Sequence, residues 1–207
     1  MARKTPNALG MPLVYAVFAM SGFSALVYQV VWQRALFALY GVDIESTTLI
    51  VTAFMLGLGI GSLVGGVLSR DPARPVLLYF AAIECSISAF GFGSLALFGQ
   101  VGAFTAGASG VATFFLTFAL VLVPTCLMGA TLPLLVAHLV RRSQNVGQSV
   151  GVLYFVNTSG SALAAVATAV YLLGNFGQRV SVSLAATLNA IAALSIFGLW
   201  LWTRHRS

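Results

Sequence analysis

The chain has 207 residues, of which 59% are hydrophobic and only 7% are charged, and its mean hydropathy is +1.00. Soluble domains carry about 25% charged residues, so ten basic and four acidic side chains cannot cover a water-soluble globule of this size. The net charge of +6 is spread over short loops between apolar runs, which favours lipid headgroups as partners and argues against nucleic acid.

The apolar runs are long enough to cross a bilayer, for which about 20 residues suffice. They predict six transmembrane helices at about residues 12–31, 46–69, 76–98, 110–139, 150–173 and 180–202. The predicted fold class is therefore all-α, a polytopic membrane protein with one domain over residues 1–207. The first run follows a basic start typical of a signal peptide but extends to Trp32, so we expect a retained signal anchor, with cleavage near Ser21 as the alternative.

Basic residues orient these predicted helices, because cytoplasmic loops are enriched in Lys and Arg. With a cytoplasmic N-terminus, eight basic residues lie inside: Arg3, Lys4, Arg70, Arg74, Arg141, Arg142, Arg204 and Arg206. Only Arg34 and Arg179 then lie on the other side. Both termini are therefore predicted to be cytoplasmic.

Small residues recur in the second and fifth predicted helices. Gly57, Gly61 and Gly65 are spaced by four and share one helix face, and Gly160 and Ala164 repeat the pattern. Such faces let two helices approach closely in lipid. They suit a sliding interface of a transporter, and they equally suit static packing or dimerisation.

The third predicted helix carries Glu84 near the bilayer midplane, where an ionisable group is costly and usually functional. Counting about 1.5 Å per residue places further polar groups in two layers. The inner layer contains Glu84, Thr131 and Asn157, with Tyr154 a turn away, and the outer layer contains Tyr28, Gln29, Thr52 and Thr125. One interpretation is a cavity in which Glu84 binds a cation, a proton or an amine; the other is a structural hydrogen-bond network.

The fourth predicted helix contains Pro124, Gly129 and Pro133, which are unfavourable in a helix interior. Membrane helices tolerate them where neighbouring groups satisfy the freed carbonyls. We therefore expect a kinked, partly unwound helix, which either lines a substrate site or is a kink alone. The two cysteines have no neighbouring His, so neither a metal site nor a cofactor is expected.

Four stretches resemble a known family: ALVYQVVWQR (25–34), AFMLGLGIGSLVGG (53–66), PTCLMGATLPLL (124–135) and VGVLYFVNTSGSALA (150–164). Together with Glu84 they are similar to the membrane module of bacterial membrane-fused spermidine synthases, and more distantly to one half of a major facilitator transporter. The resemblance implies a bacterial cytoplasmic (inner) membrane. In the fused proteins a catalytic aminopropyltransferase domain follows the helices. Here no Gly-rich nucleotide loop or carboxylate pair is found, so we expect no enzymatic activity in this chain.

Two functional hypotheses remain open from the sequence. The first is a non-catalytic membrane subunit or anchor that assembles with another protein, and the aminopropyltransferase-like enzyme is the partner that the resemblance suggests. The second is a small homodimeric transporter of a polyamine or another organic cation. The scarcity of acidic residues within the spans favours the first.

Overall fold

A computed structural model of the protein describes residues 10–40, 43–106 and 110–204. Within these ranges the chain is helical almost throughout and contains no β-strand. The elements are α1 (Gly10–Tyr40), α2 (Asp43–Ser69), α3 (Val76–Phe104), α4 (Gly110–Ser143), α5 (Val146–Val166), a π-helical segment (Ala167–Leu172) and α6 (Leu173–Arg204). Arg3, Lys4, Arg206 and residues 107–109, between the third and fourth predicted helices, lie outside the described residues.

Five helical stretches of the described chain are long and apolar enough to cross a membrane. They are Gly10–Ala38, Ile44–Ser69, Val76–Phe104, Val111–Ser143 and Val146–Arg204, and the last is 59 residues long and includes both α5 and α6. Large apolar side chains such as Leu63, Phe155 and Leu194 are exposed, as expected for surfaces that contact lipid. The prediction of an all-helical membrane protein is confirmed at this level.

Helix α1 lies at the centre of the bundle and packs against α5, α6 and α2, while α2 packs along α4 and α3 packs between α4 and α6. Two clusters of buried apolar side chains follow each other along α1. The first cluster includes Val14, Phe18, Phe80, Leu135, Leu153 and Ile196. The second cluster includes Val27, Trp32, Ile50, Ile87, Ala164 and Ala185.

Helices α5 and α6 cross these two clusters in opposite directions. Along α5, Leu153 belongs to the first cluster and Ala164 to the second. Along α6, Ala185 belongs to the second cluster and Ile196 to the first. The chain therefore reverses its direction between α5 and α6, although the helical stretch has no long loop.

The reversal lies at the π-helical segment and Gly177. Gly177 has φ 72° and ψ −179°, a conformation that glycine adopts readily and other residues do not. The predicted spans 150–173 and 180–202 left residues 174–179 as a connecting loop. The structure instead continues helical hydrogen bonding into this region and concentrates the turn at one glycine.

The glycine face of α2 packs directly on α4. A Cβ atom at Gly57 would overlap the Thr125 side chain, and one at Gly61 would overlap the Cys126 carbonyl oxygen. Gly65 is similarly covered by Ala130. The predicted small-residue face thus lies at a close contact between α2 and α4, and Thr125 Oγ1 also donates to the Ala53 carbonyl oxygen at 3.1 Å across it.

Helix α5 approaches α1 in the same way. A Cβ atom at Gly160 would overlap the Ala19 carbonyl oxygen. Ala164, one turn further along, is fully buried. Small residues on α5 therefore permit the backbone contact that places its polar side chains against α1.

Helix α4 corrects one expectation, because it is continuous from Gly110 to Ser143 and is not unwound at Pro124 or Pro133. A proline at position 133 leaves the carbonyl of Gly129 without its helical donor. Ser62 Oγ of α2 donates to that Gly129 oxygen at 3.2 Å and so replaces the lost bond. The neighbouring helix satisfies the freed group, so the helix need not unwind.

Candidate functional site

The Glu84 cluster, which consists of Ser21, Tyr28, Glu84 and Asn189, lies in the centre of the bundle. Ser21 Oγ donates to Glu84 Oε1 at 2.6 Å, and Asn189 Nδ2 donates to Glu84 Oε2 at 2.5 Å. Tyr28 Oη in turn donates to Asn189 Oδ1 at 3.0 Å. The cluster therefore joins α1, α3 and α6 through a continuous chain of hydrogen bonds.

Local sequence explains how these side chains meet. Ser21 and Tyr28 are seven residues apart, so they lie on one face of α1. Small residues on the facing helices leave room for the cluster: a Cβ atom at Gly91 of α3 would overlap the Tyr28 hydroxyl. Ser24 Oγ donates to the Ala185 carbonyl oxygen at 3.1 Å, and this bond holds α6 close to α1 one turn from the cluster.

The environment of Glu84 is fully buried and electrically neutral. The Glu84 side chain has no exposed area, and Asn189 is 2% exposed. In the part of the chain that the structure describes, no Lys, Arg or His side chain pairs with the carboxyl group, and both of its oxygens are held by neutral donors. The carboxyl group is therefore held by neutral hydrogen-bond donors of α1 and α6.

A cavity of about 280 Å³ lies beside the cluster, between α1, α2, α4 and α5. Its polar lining consists of Ser21, Gln29, Ser62, Thr131, Tyr154, Asn157 and Ser161. Its apolar lining includes Phe18, Leu26, Phe54, Leu58, Met128 and Leu132. The lining residues belong to the described chain and include no Asp, Glu, Lys, Arg or His.

Several polar side chains of the cavity wall donate to backbone carbonyls. Asn157 Nδ2 donates to the Phe18 oxygen at 3.2 Å, and Ser161 Oγ donates to the Gly22 oxygen at 2.9 Å. Thr131 Oγ1 likewise donates to an oxygen of its own helix at 2.7 Å. The oxygens of these side chains keep lone pairs, and the Gln29 amide and the Tyr154 hydroxyl add donors to the same wall, so the wall suits a polar guest.

The structure divides the predicted inner layer between two places. Asn157, Thr131 and Tyr154 line the cavity, whereas Glu84 lies outside it in the Glu84 cluster. Counting residues along a helix measures depth in the bilayer but not the direction in which a side chain points, and α1 stands between these groups. The interpretation of Glu84 as a direct wall of the cavity is therefore corrected.

The predicted outer layer is divided as well. Tyr28 joins the Glu84 cluster, Gln29 lines the cavity and Thr125 packs at the contact between α2 and α4. Thr52 is exposed on the surface of α2. These four residues do not form a shared site.

Three residues that the sequence analysis did not select are central to the observed arrangement: Ser21, Asn189 and Ser161. An asparagine in the last apolar span is a signal comparable to Asn157, because amides rarely face lipid. Ser21 is recognisable from its seven-residue spacing to Tyr28. The serine signals are weak, since small hydroxyl residues also serve simple packing in membrane helices.

Comparison with protein-family models, with curated proteins and with solved structures found no match to this chain. Among the described residues, no group of three or more His, Cys, Asp or Glu side chains is placed to hold a metal ion. The functional argument therefore depends on the geometry of the Glu84 cluster and of the cavity.

Proposed function

We propose that this chain is a non-catalytic integral membrane subunit that assembles with another membrane protein through the side on which its cavity opens. The observation that carries the proposal is polar surface beside the cavity, where Tyr154 and Thr158 of α5 are exposed. Lipid chains offer these groups no hydrogen-bond partner, whereas a protein helix does.

Exposed small residues on α2 and α5, two of the helices that line the cavity, support the same proposal. Gly59 and Gly66 of α2 face open space, and Ala162 of α5 is exposed. Such residues permit close approach of another helix. The occupant that we assign is a transmembrane helix of a different protein whose side chains hydrogen-bond to this polar surface. The family resemblance names an aminopropyltransferase-like protein as a candidate.

The topology that we propose has six crossings with both termini in the cytoplasm of a bacterial inner membrane. Six crossings are supported by the opposite directions of α5 and α6. A common cytoplasmic end is supported by Arg141, whose guanidinium donates to the Ser69 and Asp71 carbonyl oxygens at 3.0 and 2.9 Å. These contacts bring the basic end of α4 to the basic loop between α2 and α3.

A pair of tryptophan variants tests the interface. Ala162→Trp places a large ring on the exposed surface of α5, one turn from Thr158, and Ala89→Trp places the same ring on the exposed face of α3 as the control. Each variant is tagged, extracted from its native membrane in mild detergent and analysed for copurifying proteins. We expect a stoichiometric partner with the unmodified chain and with Ala89→Trp, and its loss with Ala162→Trp. Equal recovery with both tryptophan variants would contradict the proposed face.

The cavity also favours a second function, transport of a small organic cation by a homodimer. The hydroxyl and amide oxygens of its wall can accept from a guest with N–H groups, although no carboxylate of the described chain lines it. Polyamine uptake into proteoliposomes tests this candidate directly. A self-associated chain with uptake would favour the transporter, and a heteromeric chain without uptake would favour the subunit.

A further inference from the structure

Ser21 belongs to both the cavity and the Glu84 cluster. Its side chain is among the residues that line the cavity, and its hydroxyl donates to Glu84 Oε1 at 2.6 Å. Ser21 is 7% exposed, whereas Glu84 has no exposed area. One hydroxyl group therefore separates the buried carboxyl group from a cavity that is large enough to hold water.

We propose that Glu84 is a proton-binding site that exchanges its proton with the cavity through the Ser21 hydroxyl. For uptake, a hydronium ion in the cavity gives a proton to Ser21 Oγ while Ser21 passes its own hydrogen to Glu84 Oε1. The carboxylate becomes a carboxylic acid, the serine remains neutral and the hydronium ion becomes water. Release follows the same steps in reverse, with water as the acceptor.

The remaining partners of Glu84 suit this role because none of them takes part in the exchange. Asn189 Nδ2 donates to Oε2 and keeps the carboxyl group oriented in both protonation states. The second titratable side chain of the Glu84 cluster is Tyr28 of α1, whose hydroxyl donates to Asn189 Oδ1. Helix α4, which also packs against α3, carries two further titratable side chains. Cys126 lies at the contact of α4 with α2, and His138 lies near the basic end of α4. Oε1 and Ser21 thus form the path to the cavity.

Protonation would change what the cavity wall offers to a guest. With Glu84 ionised, the Ser21 hydrogen points to Oε1 and the wall presents a lone pair. With Glu84 protonated on Oε1, the carboxylic acid donates to Ser21 Oγ, and the serine hydrogen is free to turn toward the cavity. The cavity therefore gains one donor when Glu84 takes up a proton, so occupancy by a guest and protonation are linked.

Infrared spectroscopy of the full chain in lipid bilayers tests the proposal without a known ligand. The chain has four acidic residues, Asp43, Glu45, Asp71 and Glu84, so the carbonyl band of a protonated side chain is simple to assign. We expect a carboxylic acid band that titrates with pH and disappears in Glu84→Gln. After transfer to heavy water, the time course of the shift of this band reports the rate at which the proton exchanges.

Three serine variants separate the path from simple packing. Ser21→Ala should slow the exchange of the Glu84 band by about tenfold or more, because the relay is lost. Ser21→Thr, which retains a hydroxyl group, should restore the rate. Ser24→Ala is the matched control, since Ser24 is buried one turn along α1 and holds α6 without lining the cavity.

Two results would overturn the proposal. If no band sensitive to Glu84→Gln titrates at any pH at which the helical fold persists, Glu84 is not an exchangeable proton site. If Ser21→Ala exchanges as fast as the unmodified chain while circular dichroism shows intact helices, the proton does not pass through Ser21. Should Ser21→Ala fail to fold, an exchange rate in Ser21→Thr equal to that in the unmodified chain would support the path, and a strongly reduced rate would contradict it.

Discussion

Glu84 is held by donors from two different helices, and this arrangement determines what a substitution would cost. Ser21 and Asn189 each direct a hydrogen at one carboxyl oxygen, and both side chains are almost fully buried. A buried donor that loses its acceptor costs more than the intact bond contributes. The cluster is therefore a structural link between α1, α3 and α6 as well as a candidate proton site.

We predict that Glu84→Ala destabilises the protein by about 1–3 kcal/mol more than Glu84→Gln, because alanine leaves two buried donors unpaired. Glutamine keeps a carbonyl oxygen that accepts from Asn189 Nδ2, and its amide group can donate to Ser21 Oγ. The free energy of unfolding, measured by denaturant titration in mixed micelles, distinguishes the two variants. Equal stability of both would show that these bonds contribute little to the fold.

At the scale of helices, close backbone contact governs the pairing of α2 with α4. Helix α2 carries glycines on two sides, and only one side is in contact. Gly61 faces the Cys126 carbonyl oxygen, whereas no atom lies near a Cβ built at Gly59. The same residue type therefore has different roles two positions apart.

Gly61→Ala should force α2 and α4 apart and destabilise the protein by about 1–3 kcal/mol, the range typical of overpacked cores. Gly59→Ala, its matched control, should be neutral or slightly stabilising, because alanine favours helix. Thermal unfolding followed by circular dichroism in one detergent compares the pair. A similar melting temperature for both would contradict the tight contact between α2 and α4.

The reversal between α5 and α6 makes a second prediction at this scale. Gly177→Ala places a side chain on a residue with φ 72° and should cost about 1–3 kcal/mol. Gly174→Ala, three residues earlier and equally open, provides the comparison. Unfolding in the same detergent should separate them. Unchanged stability of Gly177→Ala would show that this backbone conformation is not required.

For the molecule as a whole, hydropathy was sufficient to predict an all-helical membrane protein, because long apolar runs have few alternative structures. The four-residue spacing of Gly57, Gly61 and Gly65 likewise indicated a packing face. The site was harder to predict. Depth along each helix follows from counting, but the separation of Glu84 from Asn157 depends on how each helix is rotated about its axis.

The positions at which helices break were also not predictable from local sequence. Pro124 and Pro133 are the strongest breaking signals in the sequence, yet α4 remains continuous because Ser62 of another helix replaces a lost bond. Gly177 is one of 21 glycines, and its sequence context does not distinguish it from the others. Satisfaction of a carbonyl by a neighbouring helix is a tertiary property, so local sequence does not reveal it.

Assembly is the central claim at this scale, and native mass spectrometry of the chain extracted from its own membrane tests it most directly. We predict a complex whose mass is not an integer multiple of 21.6 kDa, because it contains a different protein. Dissociation in the gas phase should then release this chain and its partner separately. A mass that corresponds only to one or two copies of the chain would contradict the subunit proposal and favour the homodimeric transporter.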